Sequence, residues 1–430
     1  MMNLRFSHPY LKGKLRVASD KSISHRALML GAYSKGKTEI HHLLQAKDIT
    51  STKEALQKAG AMISEDNGRI VVEGCNRQWK EEELFFDLGN SGTSARLLSG
   101  LFANTTKTYH FTGDESLQQR PMKRIIDPLE KMGVHFTTQN MKLPFAFSSM
   151  ELQGMTYSLP VASAQVKSAI LLAGLSAKGD TTVIETIPTR NHTEEMLPFF
   201  GGKIEVQEKE EHTEIQLVGN QELEGTELFV PADISSAAFF IVGAILTTKS
   251  DLYLMDLTKN KTRNGLVEVL LRMGAHLEWI PQENGLYQLH CQYSPNLKGT
   301  IVEGKEIPQL IDELPLLALV ATQAEGKTTV CNAEELKVKE SNRILSTATE
   351  LKKLGAEIVV KEDGWEIAGG SLLHGGKVES HQDHRIAMML MIVALLIPEP
   401  VFLTDEQAME ISYPSFMNNL QSVLYEEFMI

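Results

Sequence analysis

The chain has 430 residues, 42% hydrophobic and 23% charged, with a formal net charge of −13. That length exceeds one ordinary domain, and the balance is that of a globular protein able to build sizeable cores. The negative charge and the lack of Lys/Arg-rich runs exclude nucleic acid and anionic membrane as partners. Cys75, Cys291 and Cys331 stand far apart without metal-ligand spacing, which argues against a disulfide framework or a zinc site and fits a reducing compartment. No apolar h-region opens the chain, and the longest apolar run, 386–397, is too short to span a bilayer. A cytoplasmic protein is expected.

The first strong element is SDKSISHRALML, from Ser19. It predicts a helix with Ser19 as N-cap and Asp20 in the first turn. Lys21, Ser22, His25 and Arg26 crowd its start, and Ala27, Leu28, Met29 and Leu30 follow. A helix N-terminus already carries partial positive charge, so cations there imply an incoming anion. Further on, LQKAGAMI ends at Ile63, with Gly60 placed as the glycine that stops an amphipathic helix before a strand. The same leucine, glycine and apolar spacing returns at Gly133, Gly201, Gly274 and Gly355. These glycines lie about 70–80 residues apart, which marks a repeated supersecondary unit. A sixth copy is expected at SFMNNLQSVL, cut off by the chain end.

Between these helices stands a second, more apolar set, starting at Lys21, at Ser91-Gly92, at Ser163-Ala164-Gln165, at Ile234-Ser235, at Asp312-Glu313 and at Asp383-His384-Arg385. Each is apolar nearly all round after a polar first turn, so each is expected to be buried. Six units divide into two globular halves of three. Asn90-Ser91-Gly92-Thr93 is a glycine-bearing loop whose backbone N–H groups can hold an anion. Arg120-Pro121-Met122-Lys123-Arg124 is expected to start a helix with Pro121 at its first position. Lys339 and Arg343 are spaced i and i+4, on one helical face, with Glu340 beside them. Asp312 is a candidate base.

Taken in order, SDKSISHRAL, GNSGTSARLL, SLQQRPM, VASAQVKSAILLAGL, IDELPLLALVA, VKESNRI and DHRIAM resemble the EPSP synthase (3-phosphoshikimate 1-carboxyvinyltransferase) family over essentially the whole chain. The resemblance implies an α/β (α+β) fold: a two-domain inside-out α/β barrel, each domain three βαβαββ repeats around buried parallel helices. It places an upper domain at 20–228 and a lower domain at 1–19 and 229–430, with the active site in the cleft between them. It implies transfer of the enolpyruvyl group of phosphoenolpyruvate to the 5-hydroxyl of shikimate 3-phosphate, without cofactor or metal, in a monomer.

By the same resemblance, shikimate 3-phosphate is bound by Lys21, Ser22, Arg26, Ser163, Ala164, Gln165, Arg190, Asp312 and Lys339. Phosphoenolpyruvate is bound by Lys21, Asn90, Gly92, Arg120, Gln165, Arg343 and Arg385. Asp312, Glu340, Lys21 and His384 are catalytic. Ala164 stands where many members carry serine, and Ile411 where many carry lysine. With RPM, these departures fit a second class within the family that is less sensitive to glyphosate. The related UDP-N-acetylglucosamine enolpyruvyl transferases carry a reactive cysteine before the Arg-Pro pair; GDESLQQRPM has none.

Overall fold

A computed structural model describes residues 1–426. They fall into two compact units, one of residues 1–20 with 231 onward and one of Lys21–Val230. The fold is mixed α/β, and within it six versions of one sheet recur. In the second repeat, Leu84–Asp87 runs parallel to Tyr109–Thr112, which is antiparallel to Phe145–Ser149, which is antiparallel to Val134–Thr138. The third repeat follows the same order with Thr156–Ser158, Thr181–Glu185, Thr213–Leu217 and Ile204–Glu208.

Where a repeat lacks a strand of its own, the chain supplies one from elsewhere. Lys37–His41 takes Glu227–Phe229 as its parallel partner, from the far end of the same unit. Asp251–Leu257 takes Pro9–Leu15, from the start of the chain. The last repeat pairs Gly376–Glu379 with Val401–Thr404 and is completed by Met2–Leu4, antiparallel. These three sheets are thus completed by strands far apart in sequence, and the chain has to leave the first unit and come back. The crossings fall after Asp20 and after Val230 because of local pairing. Asp20 N–H donates to Pro231 C=O (2.8 Å) and Asp233 N–H to Ala18 C=O (2.8 Å), whereas Val230 N–H donates to His41 C=O.

The six apolar helices are Lys21–Tyr33, Gly92–Leu101, Ala164–Gly174, Ile234–Leu246, Leu314–Gln323 and His384–Ala394, and past the first turn their side chains are almost all buried. Their apolar residues have no exposed face to keep polar, and each large one adds about 1.5–3 kcal/mol of transfer free energy. Four of the six are capped by the residue before them: Ser91, Ser163, Asp233 and Asp383 each accept from a backbone N–H of the first turn. Gly100 lets the 92–101 helix approach the 164–174 helix closely, since a methyl group there would overlap the carbonyl oxygen of Ala169.

The expected helix-stop glycines all have left-handed backbones, with φ of 124°, 104°, 75°, 95° and 98° at Gly60, Gly133, Gly201, Gly274 and Gly355. An L side chain is disfavoured there. One of the helices that they stop is short: His192–Met196 continues as a 3₁₀ turn, Leu197–Phe200, because Pro198 has no N–H for an α-helical bond. The expected sixth copy forms the helix Phe416–Val423, followed by Leu424–Glu426, which pairs with Pro9–Leu15.

A cross-strand device recurs on the sheets. His41 stacks on Phe229 (4.2 Å), His110 on Phe85 (4.2 Å) and His290 on Tyr253 (4.1 Å). Each imidazole also meets a carboxylate two residues before that aromatic: Glu227, Glu83 or Asp251. In all three cases the histidine and the aromatic are direct register partners, where side-chain pairing acts most strongly.

Candidate active site

In the Lys21–Val230 unit the polar helix starts carry the candidate residues. The first helix begins at Lys21, not earlier: Ser19 sits in an antiparallel bridge with Ala232 and is not the N-cap. Lys21 Nζ is ion-paired with Asp48, a buried carboxylate in the first turn of Lys47–Ala59, where the helix dipole favours negative charge. Arg26 is buried. It donates from Nε to Thr193 Oγ1 (2.8 Å), from Nη2 to Ser168 Oγ (2.6 Å) and from Nη1 to Ser22 C=O (3.0 Å). His25 beside it starts a buried hydroxyl chain. Its Nδ1 lies 2.7 Å from Thr52 Oγ1, Thr52 2.7 Å from Ser94 Oγ, and Ser94 2.6 Å from Ser91 Oγ. Burial, with Lys21 and Arg26 adding to it, holds the His25 imidazole well below its ordinary range, so it is neutral.

That chain ends at the glycine loop. Asn90 bridges two partners, donating from Nδ2 to Asp114 Oδ2 (2.7 Å) and accepting at Oδ1 from Arg120 Nη2 (2.6 Å). Arg120 is not at the start of a helix, as its sequence context suggests. It closes the short helix Glu115–Gln119, capped by Asp114, and Pro121 precedes Lys123–Lys131 without being its first residue. Gly92 is the first residue of its helix, and a methyl group there would lie 2.7 Å from Arg96 Nη1 and 3.2 Å from Arg120 Nη1. Gln165 accepts from Arg96 Nη1 (2.9 Å) and donates to Thr93 Oγ1 (3.2 Å). Two arginines and two amides thus converge on one glycine.

Ser163 and Ala164 open the 164–174 helix, whose Lys167 is fully buried. Lys167 Nζ is ion-paired with Glu185 (3.0 Å) and Glu194 (2.6 Å) and reaches Thr189 C=O (3.4 Å). These partners bracket the loop that carries Arg190, which is half-buried.

In the other unit the candidates gather around Asp312. Its Oδ1 lies 3.5 Å from Lys339 Nζ and accepts from Arg343 Nη1 (3.2 Å); its Oδ2 is 4.0 Å from Arg385 Nη2. Arg343 is held on its other sides by Asp383, with Nε to Oδ2 at 2.8 Å, and by Glu340, with Nη2 to Oε2 at 2.5 Å. Burial works against its charge, but Asp383, Glu340 and Asp312 outweigh it and raise its pKa. For Asp383, burial alone would raise the pKa; Arg343 more than offsets it and holds the carboxyl below the ordinary value. Asp383 also caps its helix at Arg385 N–H (2.9 Å), and His384, buried, is the first helical residue.

Lys339 and Arg343 do not share a helix. Lys339 ends the 3₁₀ turn Glu334–Val338, and Asn342 caps a new helix, Arg343–Lys353. Their meeting at Asp312 is made by this corner. Several partners carry no local sequence signal: Asp48, Asp114 and the pairing of Arg96 with Gln165. Arg96 lies one turn beyond Gly92 on the glycine-loop helix.

The arrangement is two sets of cations, each held ready by carboxylates or amides, with one carboxylate that three cations approach. Its relatives carry a matching name. The profile of EPSP synthase (3-phosphoshikimate 1-carboxyvinyltransferase) matches residues 7–420. The 3-phosphoshikimate 1-carboxyvinyltransferase of Streptococcus pyogenes serotype M1 is 43% identical, covering 99% of both chains. That of Lactococcus lactis subsp. cremoris is 45% identical, covering 98% of this chain and 99% of the relative. Among solved structures, an EPSP synthase from Acinetobacter baumannii superposes with a TM-score of 0.85 at 38% identity, covering 98% of each chain. The enolpyruvyl transferase NikO from Streptomyces tendae shares the fold at 17% identity, with a TM-score of 0.78 over 100% of this chain and 99% of that one. With identity at this level across the full length, the chain belongs to the EPSP synthase (3-phosphoshikimate 1-carboxyvinyltransferase) family.

Proposed function

We propose that the chain transfers the enolpyruvyl group of phosphoenolpyruvate to the 5-hydroxyl of shikimate 3-phosphate and releases phosphate, a step of chorismate and aromatic amino acid biosynthesis. The observation that carries this reading is the convergence of Lys339, Arg343 and Arg385 on Asp312, with Glu340 on the same Arg343. Asp312 takes the hydroxyl proton as the oxygen attacks C2 of phosphoenolpyruvate, and Glu340 protonates the methylene carbon, giving a tetrahedral intermediate. Elimination breaks the bond from C2 to the phosphate oxygen, returns the carbon proton and frees phosphate.

Arg120, Arg343 and Arg385 hold the carboxylate and phosphate of phosphoenolpyruvate, a planar bidentate task. Nε and Nη2 of Arg343 are committed to Asp383 and Glu340, so the edge it can turn to the substrate is Nη1. That nitrogen donates to Asp312, and an arriving anion would draw it away and leave Asp312 the stronger base. Lys21, Ser22, Arg26, Ser163, Ala164, Gln165, Arg190 and Lys339 take shikimate 3-phosphate; Asn90, Gly92 and Gln165 face phosphoenolpyruvate; Lys21 and His384 support the charge that moves.

Phosphate release on mixing the protein with phosphoenolpyruvate tests the reading. Release is expected with shikimate 3-phosphate and not with UDP-N-acetylglucosamine. The reverse pattern, or none, overturns it.

The finer assignment is to the class less sensitive to glyphosate, supported by Ala164 and Ile411. Gly92 retains the space that the inhibitor needs, so native sensitivity should be intermediate. Gly92→Ala must displace the tips of Arg96 and Arg120. Glyphosate is longer than phosphoenolpyruvate, so inhibition should weaken by more than the KM for phosphoenolpyruvate rises. Paired inhibition curves at matched substrate saturation check this, and equal shifts would reduce Gly92 to a helix-start glycine.

A further inference from the structure

Glu313 follows Asp312 and is buried at the start of an otherwise apolar helix, before Leu314, Leu316 and Leu317. Burying a carboxylate is costly unless it is paired, so its partners identify its task. Its Oε1 accepts from Arg385 Nη1 (3.3 Å) and from the Ser235 hydroxyl. Its Oε2 is buried and has no hydrogen-bond partner among the described residues. Arg385 Nη1 also donates to Asp312 C=O (3.3 Å), so this arginine is fixed by the backbone of one residue and the side chain of the next.

The contacts continue behind Ser235. Its Oγ accepts from Arg263 Nη2 (2.7 Å), and Arg263 is ion-paired with Asp233 (2.9 Å) and Asp20 (3.2 Å). Asp20 is the last residue before the chain leaves this unit, and Asp233 the third after it returns. Arg263 therefore ties together the roots of both crossings, and one serine hydroxyl joins it to the carboxylate that holds Arg385. The path Asp20–Arg263–Ser235–Glu313–Arg385 is continuous, and every member up to Glu313 is almost wholly buried.

We propose that Glu313, anchored through Ser235 to Arg263, is a positioning residue that preorganises Arg385 for the anion it binds. The proposal rests on the reading that Arg385 takes phosphoenolpyruvate. Without Glu313 the guanidinium keeps only its contacts with Asp312, so part of its ordering moves to the moment of binding, and that loss falls on one substrate only. Immobilising one long side chain accounts for about three- to tenfold in affinity.

The test uses Glu313→Ala and Ser235→Ala in the full chain, with Glu313→Gln, which keeps an oxygen for Arg385 and should stay near native, as the conservative control and Arg385→Lys as reference. Each of the first two should raise the KM for phosphoenolpyruvate about three- to tenfold, with the KM for shikimate 3-phosphate unchanged. The double variant should be no worse than the more severe single one, because both cut the same path. Equal rises for both substrates, or a lowered melting temperature with neither KM moved, would make the path merely structural. A fall in the KM for phosphoenolpyruvate would make Glu313 a competitor for Arg385 and overturn the proposal. If Arg385→Lys also leaves that KM unchanged, it is the substrate assignment that fails; if Arg385→Lys raises it while the two alanine variants do not, only the positioning role fails.

Discussion

Asp312→Asn should bind both substrates with little loss and turn over about 10²–10⁴-fold more slowly. Asparagine keeps the size of the side chain and an oxygen for Lys339 and Arg343 to donate to, so the corner between the 3₁₀ turn and the 343–353 helix has no steric reason to move. What it loses is the negative charge and the capacity to take a proton. Three cations lie within 4.0 Å of the native carboxylate, and removing their counter-charge favours anionic substrates, so affinity is not where the loss should appear. Glu340→Gln should behave alike. It keeps an oxygen for Arg343 and cannot protonate carbon. Single-turnover phosphate release beside equilibrium binding of each substrate separates the two quantities. Near-native turnover in either variant would remove that residue from proton transfer.

These roles depend on groups that the sequence exposes unevenly. The six buried helices are legible because an apolar run without a polar face has one stable place, and the helix-stop glycines because a positive φ selects for glycine. Helix starts are legible where a side chain caps locally, as at Ser91, Ser163 and Asp383. The same local rules mislead where a short helix or a break intervenes. Pro121 fits a first helical position, but Asp114 had already started a five-residue helix too short to show a period. Lys339 and Arg343 fit one helical face, while Asn342, a good N-cap, marks a break between them. The pairings that complete the site leave no local trace. Arg96 meets Gln165 across 69 residues and Arg263 meets Asp20 across 243. The first pair meets because the 92–101 and 164–174 helices pack closely at Gly100, the second because Pro9–Leu15 joins the sheet of Asp251–Leu257.

Lys167→Met should cost about 3–5 kcal/mol of stability, because it leaves a buried charge uncompensated. Methionine fits the space and suits the apolar helix around it, so packing should change little. The cost comes from Glu185 and Glu194, which are both buried and both paired with Lys167 Nζ. Glu185 is anchored further by Thr189, through its N–H (3.2 Å) and its hydroxyl (2.8 Å), so it cannot easily swing out to water. The loop between these two carboxylates carries Arg190, and the helix bearing Lys167 starts at Ser163–Gln165. Losing the lysine should therefore also raise the KM for shikimate 3-phosphate more than that for phosphoenolpyruvate. Replacing all three charges together, Lys167→Met with Glu185→Gln and Glu194→Gln, should recover much of the stability, since buried ion pairs cost desolvation that neutral groups do not. Urea unfolding of the single and triple variants measures this. A single variant within about 1 kcal/mol of native, the range of an exposed pair, would mean that these carboxylates find other partners, and the cluster would then be no anchor for the Arg190 loop.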